Sequence, residues 1–223
     1  MDDIYGVLWD MDGVLADTGE LHYISWKQTL DEVSLPFDRE VFRKTFGMNN
    51  NGILTYLLGQ PPEPDFLEQI SDRKEGLFRQ WVKGNVKLLP GVRDWLISLR
   101  SGGFCQAVAS SAPIENVETL VDELNIREFF SVLLSGYDLP GKPDPATFLK
   151  AARLLNLNPD KCVVVEDAIA GVEAAKRAGM KCIAVTTTNP AHTLRSSDVI
   201  VDRLDQLPKS IFEALLQITP KSG

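Results

Sequence analysis

Four short apolar segments are the strongest constraint on how this chain folds. Each has the length of a β-strand and is followed by a polar or glycine-containing turn and then by a helical pattern. Their apolar residues run without interruption, which is typical of strands that are covered on both faces. The segments therefore predict a parallel sheet between two layers of helices. They are Tyr5 to Trp9, Phe104 to Ala109, Cys162 to Val165 and Cys182 to Val185.

Patterns of helical period lie between and after these segments. Gly179 is placed to end one of the helices, because glycine readily adopts the left-handed conformation that terminates a helix. A short apolar run, Val199 to Val201, predicts one more strand near the C-terminus. We therefore predict an α/β fold with a doubly wound, mostly parallel, Rossmann-like sheet. The predicted helices cover Val92 to Arg100, Val117 to Leu124, Phe148 to Leu155 and Ala168 to Ala178.

One part of the chain departs from this rhythm. Between Asp17 and Leu89 the sequence shows only helical patterns, separated by prolines, glycines and asparagines. We therefore predict an all-helical cap over residues 17–88, inserted after the first strand into an α/β phosphotransfer core of residues 1–16 and 89–223. Such a cap would lie above the crevice where open α/β sheets bind ligands. The predicted cap helices are Leu21 to Val33, Arg39 to Phe46, Gly52 to Leu58 and Phe66 to Val82.

Charge and composition exclude several classes of protein. The 223 residues include 23 basic and 31 acidic side chains, a formal net charge of −8, so the chain lacks the basic surplus with which nucleic-acid binders neutralise phosphates. Its apolar runs are far shorter than the roughly 20 residues that span a bilayer. The N-terminus carries no secretory signal pattern, and the three cysteines suit reduced core thiols. We therefore expect a cytoplasmic protein with no membrane or nucleic-acid partner, a monomer, whose residues Thr219 to Gly223 are frayed.

Two acidic pairs stand where predicted strands end. Asp10 and Asp12 follow the first strand with a spacing of two, which points both carboxylates to one side of an extended chain, and Gly13 allows a sharp turn. Glu166 and Asp167 close the third strand. Parallel strands end at one edge of a doubly wound sheet, so the four carboxylates can converge there. At about 5 Å and an effective dielectric near 20, each like-charged pair costs about 3 kcal/mol, so the cluster needs a cation or shared protons, and oxygen ligands favour Mg²⁺.

A serine and a lysine extend this set toward phosphate binding. Ser110, followed by Ser111, ends the second strand, where a hydroxyl and backbone N–H groups can hold anionic oxygens. Lys142 stands between prolines in Gly141 to Pro145, a stiff turn that can aim one ammonium at the acids. Taken singly, each feature has an ordinary structural explanation: a strand-capping loop, acids favoured at a helix N-terminus, a helix cap, or a solvated lysine. The combination is more specific than its members and indicates a site that handles phosphate.

The four motifs, in this order, resemble those of the haloacid dehalogenase superfamily. The residues that carry the resemblance are Asp10-Met11-Asp12-Gly13-Val14, Ser110, Lys142 and Val163-Val164-Val165-Glu166-Asp167. The helical insert and the stretch from Glu166 to Ala175 are similar to the β-phosphoglucomutase-like subfamily, which includes many small-metabolite phosphatases. The resemblance covers nearly the whole chain, and four motifs in the correct order make it highly specific.

The resemblance implies a role for each of these residues. Asp10 would be the nucleophile that attacks phosphorus and becomes an aspartyl phosphate, and Asp12 would act as acid on the leaving oxygen and then as base on water. Asp10, the backbone carbonyl of Asp12, and Asp167 would bind Mg²⁺, with Glu166 beside them or bound through water. The residues that would hold the phosphoryl oxygens are Ser110, Ser111 and Lys142.

The predicted cap bears on the choice between two reactions. Asp17 to His22 is similar to the core–cap joint of sugar-phosphate mutases, where His22 either helps to position Asp12 or is an ordinary helix residue. β-Phosphoglucomutases carry an arginine in the cap loop that holds the distal phosphate, whereas Gly47 to Gly52 contains no cation, and the lysine usual after Ser111 is missing. Losing two cationic contacts to a bisphosphate favours a phosphatase. The cap residues that either hydrogen-bond a sugar or polyol, or form a plain flexible loop, are Asn49, Asn50 and Asn51.

We therefore predict a Mg²⁺-dependent phosphatase of a small phosphorylated metabolite, such as a sugar phosphate, that acts through an aspartyl phosphate. A β-phosphoglucomutase-type isomerase of hexose phosphates is the alternative. A dehalogenase fits less well, because that branch is metal-independent and lacks the second acid that Asp12 supplies. A signalling receiver domain also fits less well, because such domains are near half this length and accept the phosphoryl group on a later strand.

Overall fold

The computed structural model describes residues 4–45 and 47–218. Contacts between residues divide the chain into two compact units. The first comprises the described residues of Met1–Asp17 and Lys87–Gly223, and the second is Thr18–Val86. The predicted helix end at Phe46, the N-terminus from Met1 to Asp3 and the expected fraying of Thr219 to Gly223 fall outside the described residues.

Six parallel strands form the sheet of the first unit, in the order β3-β2-β1-β4-β5-β6. This is the strand order of a doubly wound Rossmann-like sheet, so the predicted fold class is confirmed. The four apolar segments correspond to β1, β2, β4 and β5, and the short C-terminal run is β6. The strands are β1 Gly6–Trp9, β2 Cys105–Ser110, β3 Val132–Ser135, β4 Cys162–Glu166, β5 Lys181–Val185 and β6 Val199–Val201.

β3 is the strand that the sequence analysis missed. It has four residues, lies at an edge of the sheet and pairs only with β2 in the described sheet. Leu134 is its one buried residue, and the other three are half-buried. Its apolar run, Val132 to Leu134, has only three residues and lies between two serines, so the long apolar run that identified the central strands is absent here.

Nine α-helices occur among the described residues. The first four belong to the second unit and the other five to the first. Within the stretches that the structure describes, no helix is long and apolar enough to cross a membrane. The helices are α1 Gly19–Glu32, α2 Arg39–Thr45, α3 Asn50–Leu58, α4 Pro64–Val82, α5 Val92–Ser101, α6 Ile114–Glu123, α7 Ala146–Leu154, α8 Ile169–Arg177 and α9 Ile211–Leu215.

The second unit is all helical in its described residues, and α1 packs against α4 along their length. Its core is built from large apolar side chains, among them Trp26, Phe37 and Leu54. α4 begins with Pro64 in its first turn, where proline's missing N–H costs nothing because the first amides of a helix have no intrahelical acceptor. The helical unit thus has an apolar core of its own.

The two faces of the sheet bury different side chains of the same strand. On one face, Leu8 of β1 joins Phe148 of α7 and Val172 of α8 in a continuous apolar core. On the other face, the indole N–H of Trp9 donates to Oε1 of Gln106 at 3.1 Å. The side-chain amide of Gln106 in turn donates to the carbonyl of Leu96 in α5 at 2.9 Å, so one buried glutamine links β1, β2 and α5.

We expect Gln106→Leu to lower the free energy of unfolding by about 1–3 kcal/mol, because it leaves the buried Trp9 N–H without an acceptor. Urea unfolding followed by circular dichroism measures the change. Gln206→Leu is the matched control, because Gln206 is exposed in the same unit and should change stability by less than about 0.5 kcal/mol. Equal stability of the two variants would contradict the role assigned to Gln106.

Candidate active site

Three buried carboxylates meet at one edge of the sheet. Trp9 of β1 pairs with Val108 of β2 and with Val165 of β4, so Asp10, directly after β1, lies level with Glu166, the last residue of β4. Side-chain oxygens of Asp10, Glu166 and Asp167 all lie within 4.8 Å of one another. The register of neighbouring parallel strands therefore brings together acids that are more than 150 positions apart in the chain. We call these three residues the acidic cluster.

Lys142 lies between two members of the acidic cluster. Its Nζ is 2.5 Å from Oδ1 of Asp10 and 2.6 Å from Oε1 of Glu166. Its side chain is only 10% exposed, and Nζ also lies over the ring of Phe148, 4.7 Å from the centroid. Burial alone would lower the pKa of this ammonium, but the attraction of the two carboxylates outweighs burial and raises it. Lys142 is therefore a fixed positive charge.

The acidic cluster still carries more negative charge than Lys142 balances. Burial is the main cause that raises the pKa of Asp10 to about 7, with repulsion from Glu166 adding to it and Lys142 opposing it. Burial, followed by repulsion from Glu166 and Asp10, raises the pKa of Asp167 well above its usual range. Burial and mutual repulsion thus both disfavour three ionised carboxylates at this edge.

A divalent cation fits this cluster in charge and in spacing. When all three carboxylates are ionised, they and the Lys142 ammonium leave a formal charge of −2. Two oxygens bound to one Mg²⁺ at about 2.1 Å lie about 3–4 Å apart. Donor oxygens within 4.8 Å of one another reach that spacing by small side-chain movements. Oxygen-only donors are also the set that hard cations prefer.

Glu166 is held by the two residues that precede α8 as well as by Lys142. Its Oε2 accepts hydrogen bonds from the backbone N–H groups of Asp167 and Ala168, both at 2.7 Å. Gly171 leaves room for this arrangement, because a Cβ at that position would lie 1.7 Å from Oε1 of Glu166. Glu166 therefore orients Lys142 and the start of α8. The sequence analysis missed Gly171, since its close approach to Glu166 becomes visible only in the packed structure.

The loop after β5 holds Asp167. The hydroxyl of Thr188 donates to Oδ2 of Asp167, and the side-chain amide of Asn189 donates to its backbone carbonyl at 3.1 Å. Gly13 lies close to the same oxygen, with a φ of +78° and room for no Cβ, which would be 1.9 Å from Oδ2. The sequence analysis missed Thr188 and Asn189. The polar run from Thr186 to Asn189 was the available signal, because it follows a parallel strand at the same edge.

Asp12 and the serines lie in the turns that leave β1 and β2. Asp12 is half-buried and close enough to Asp10 for its charge to add to the raised pKa of Asp10, after the larger effects of burial, Lys142 and Glu166. Ser110 is 2% exposed, and its hydroxyl accepts a hydrogen bond from the backbone N–H of Ala112 at 3.1 Å. Ser111 is exposed. The Ser110 hydroxyl thus helps to shape the loop that leads into α6.

The three asparagines of the second unit have three different surroundings. Asn49 caps α3, because its Oδ1 accepts a hydrogen bond from the N–H of Gly52 at 2.8 Å. Asn50 is buried and donates to Oε1 of Glu75 at 2.9 Å, whereas Asn51 is exposed. The expectation of a plain flexible loop is wrong for Asn50 and Asn51, which form the first turn of α3 because the Asn49 cap starts the helix earlier than predicted.

His22 belongs to a buried polar group that includes a cation. The ammonium of Lys74 donates to Nδ1 of His22 at 3.1 Å and to both carboxylate oxygens of Glu75 at 3.0 Å. The His22 ring stacks on Phe78 with centroids 4.1 Å apart. Lys74 is 3% exposed and Glu75 is 6% exposed. The second unit therefore has a buried cation, which lies on α4 instead of the Gly47 to Gly52 stretch, and a neighbouring carboxylate neutralises it.

Comparisons with known proteins agree with this geometry. A family model described as haloacid dehalogenase-like hydrolase matches residues 7–185. The chain is 32% identical over 205 residues to the chloroplastic 5-amino-6-(5-phospho-D-ribitylamino)uracil phosphatase of Arabidopsis thaliana, a match that covers 91% of this chain and 55% of that longer relative. It is 30% identical over 209 residues to a β-phosphoglucomutase of Bacillus subtilis, with 90% of each chain covered.

A solved structure shows the same relationship. The crystal structure of CbbY from Rhodobacter sphaeroides in complex with phosphate superposes with a TM-score of 0.83 at 29% identity, and the match covers 92% of this chain and 96% of that chain. The family match over most of the chain confirms both the predicted family and its enzymatic character: the chain belongs to the haloacid dehalogenase-like hydrolases.

Proposed function

We propose that this hydrolase is a Mg²⁺-dependent phosphatase that releases phosphate from a small phosphomonoester, such as a sugar phosphate or a related metabolite. The observation that carries the proposal is the acidic cluster with the Lys142 ammonium inserted between Asp10 and Glu166. A buried carboxylate, a fixed cation and an uncompensated negative charge are the parts that metal-assisted phosphoryl transfer requires. A phosphatase and a phosphoglucomutase among the relatives support the same chemistry.

The acidic cluster and the family resemblance together suggest the metal ligands. Asp10, Asp167 and the backbone carbonyl of Asp12 would hold Mg²⁺, with Glu166 beside them. When bound, the ion neutralises negative charge on the phosphoryl group and brings it close to Asp10. Lys142 supplies a second positive charge at the same edge, and the Ser110 and Ser111 segment supplies a hydroxyl and backbone N–H groups. These donors would hold the phosphoryl oxygens while charge redistributes over them.

The first half of the reaction transfers the phosphoryl group to the protein. A carboxylate oxygen of Asp10 forms a bond to phosphorus, and the bond from phosphorus to the substrate's ester oxygen breaks. The protonated Asp12 carboxyl gives its proton to that oxygen, so the product leaves as a neutral alcohol. Lys142 favours the ionised form of Asp10, which is the form that attacks.

The second half returns the protein to its starting state. The Asp12 carboxylate accepts a proton from water as the water oxygen forms a bond to phosphorus. The bond between phosphorus and Asp10 breaks, inorganic phosphate leaves, and Asp10 is again a carboxylate. The overall change is hydrolysis of one phosphate ester by one water molecule.

The pairing of the buried Lys74 favours a phosphatase over a mutase. A mutase must bind a bisphosphate at both ends, which calls for cations away from the reacting phosphate. Lys74 is paired with Glu75, and Asn50 also donates to that carboxylate. Hydroxyl groups of a sugar or polyol match such a polar but neutralised group better than a second phosphate does. The β-phosphoglucomutase relative keeps the isomerase as the second candidate.

Several properties expected from the sequence are kept as predictions. They are the cytoplasmic location, the monomeric state, the lack of a nucleic-acid partner and the action of the second unit as a cap with His22 positioning Asp12.

The wild-type enzyme should release phosphate from p-nitrophenyl phosphate in the presence of Mg²⁺, lose that activity in EDTA and regain it when Mg²⁺ is restored. Asp10→Asn should lower the rate by at least about 10³-fold, because an amide is a poor nucleophile. Phosphate release measures both effects. Turnover that is independent of metal, or full activity of Asp10→Asn, would refute the proposed chemistry.

Incubation with β-glucose 1-phosphate and a trace of the corresponding bisphosphate separates the two candidate reactions. A phosphatase releases inorganic phosphate and glucose, whereas a mutase forms glucose 6-phosphate. We expect inorganic phosphate as the main product, because Lys74 is neutralised by Glu75. Accumulation of glucose 6-phosphate would instead support the isomerase.

Gly171→Ala should destabilise the protein, although alanine is ordinarily the better helix residue by about 1 kcal/mol. The added Cβ displaces Glu166 from Lys142 and from two backbone N–H groups, and hydrogen bonds to a charged group contribute about 1.5–3 kcal/mol each. Urea unfolding gives the free energy of unfolding, and phosphate release gives the phosphatase rate. Both quantities should be lower in Gly171→Ala than in the wild type. Gly76→Ala in α4 is the control, because nothing lies within 4 Å of its Cβ position. A gain in stability for both variants would show that Gly171 is not required.

A further inference from the structure

The β5 loop, which we define as Thr186 to Asn189, contacts the acidic cluster from outside the family's motifs. β5 pairs with β4 in a register that sets Ala184 beside Glu166, so the chain leaving β5 passes next to Asp167. Two side chains of this loop bind Asp167 directly, Thr188 at carboxylate oxygen Oδ2 and Asn189 at the backbone carbonyl. The loop thus fixes both the side chain and the main chain of one residue.

The carboxylate of Asp167 is confined on two sides. Thr188 donates its hydroxyl hydrogen to Oδ2, and the backbone at Gly13 approaches the same oxygen so closely that a Cβ there would lie 1.9 Å away. That imagined Cβ would also lie 2.9 Å from Oγ1 of Thr188, so the hydroxyl oxygen of this exposed residue lies close to both Gly13 and Asp167. Asp167 itself is only 3% exposed. Rotation of this carboxylate would break the Thr188 hydrogen bond.

We propose that Thr188, supported by Asn189, is a positioning residue that makes Asp167 bind a metal ion through one oxygen and thereby selects Mg²⁺ over Ca²⁺. The inference rests on the proposed function, because it takes Asp167 as a metal ligand. Oδ2 is engaged with Thr188, which leaves Oδ1 as the oxygen for the ion. Mg²⁺ requires near-octahedral geometry with short bonds to single oxygens, whereas Ca²⁺ accepts six to eight oxygens and commonly takes both oxygens of a carboxylate.

Removing the Thr188 hydroxyl should therefore affect the two ions differently. In Thr188→Val the carboxylate loses its hydrogen bond and can turn both oxygens toward the ion. Loss of a hydrogen bond from a neighbouring residue to a metal-binding side chain typically weakens metal binding about 10–100-fold. We expect Kd for Mg²⁺ to rise about 10-fold and Kd for Ca²⁺ to rise by no more than about twofold, so the ratio of Kd for Ca²⁺ to Kd for Mg²⁺ should fall about 5-fold or more.

Isothermal titration calorimetry of the intact, substrate-free enzyme with MgCl₂ and with CaCl₂ measures the Kd for each ion without relying on activity. Thr188→Ser keeps the hydroxyl and should retain the wild-type ratio within about twofold. Thr187→Val is the matched control. Thr187 is exposed, as Thr188 is, but the bonds to Asp167 come from Thr188 and Asn189, so this variant should leave the ratio unchanged. Thr188→Ala gives the same test with a smaller side chain if the valine variant does not fold.

An unchanged ratio in Thr188→Val or Thr188→Ala would overturn the inference and leave the phosphatase proposal intact. An equal fall in Thr188→Ser and Thr188→Val would also overturn it, because the hydroxyl would then not be the cause. A wild-type enzyme that binds no Mg²⁺ in the titration would refute the metal assignment in the proposed function itself. The two failures are therefore distinguishable.

Discussion

The contact of the buried Lys142 ammonium with Asp10 and Glu166 is the interaction on which the rest of the site depends. Three carboxylates whose oxygens lie within 4.8 Å of one another would repel strongly at such low exposure. One ammonium at 2.5 and 2.6 Å relieves part of that repulsion. The remaining charge is what makes the cluster suited to a divalent ion, so a single lysine links the stability of the edge to its chemistry.

Strand register and two glycines that lack a Cβ make this contact possible. Parallel pairing of β1 with β4 sets Asp10 and Glu166 at the same level, and Lys142 reaches them from the loop that follows β3. Gly13 and Gly171 then allow backbone to approach Asp167 and Glu166 where any Cβ would collide with a carboxylate. Placement of charge at this edge is therefore a matter of close packing as much as of electrostatics.

In the second unit, by contrast, the buried cation is paired with a neighbouring carboxylate. Lys74 is bonded to both oxygens of Glu75 and to His22, and Asn50 shares the same carboxylate. In this group the ammonium is paired with a carboxylate, whereas the acidic cluster with Lys142 is left with an excess of negative charge. This difference is why we propose metal-assisted chemistry at the sheet edge and binding of neutral polar groups by the helical unit.

The sequence by itself determined the α/β class, the all-helical character of the segment after the first strand, and the identity of the residues that gather at the edge. It did so because continuous apolar runs and the polar residues that end them are local patterns. Tertiary structure alone decided the pairing of the edge strand β3, the approach of Gly13 to Asp167, the bonds from Thr188 and Asn189 to Asp167, and the contact of Lys74 with His22. Each of these depends on distances between segments far apart in the chain, and those distances are set by sheet register and side-chain packing, which no local pattern encodes.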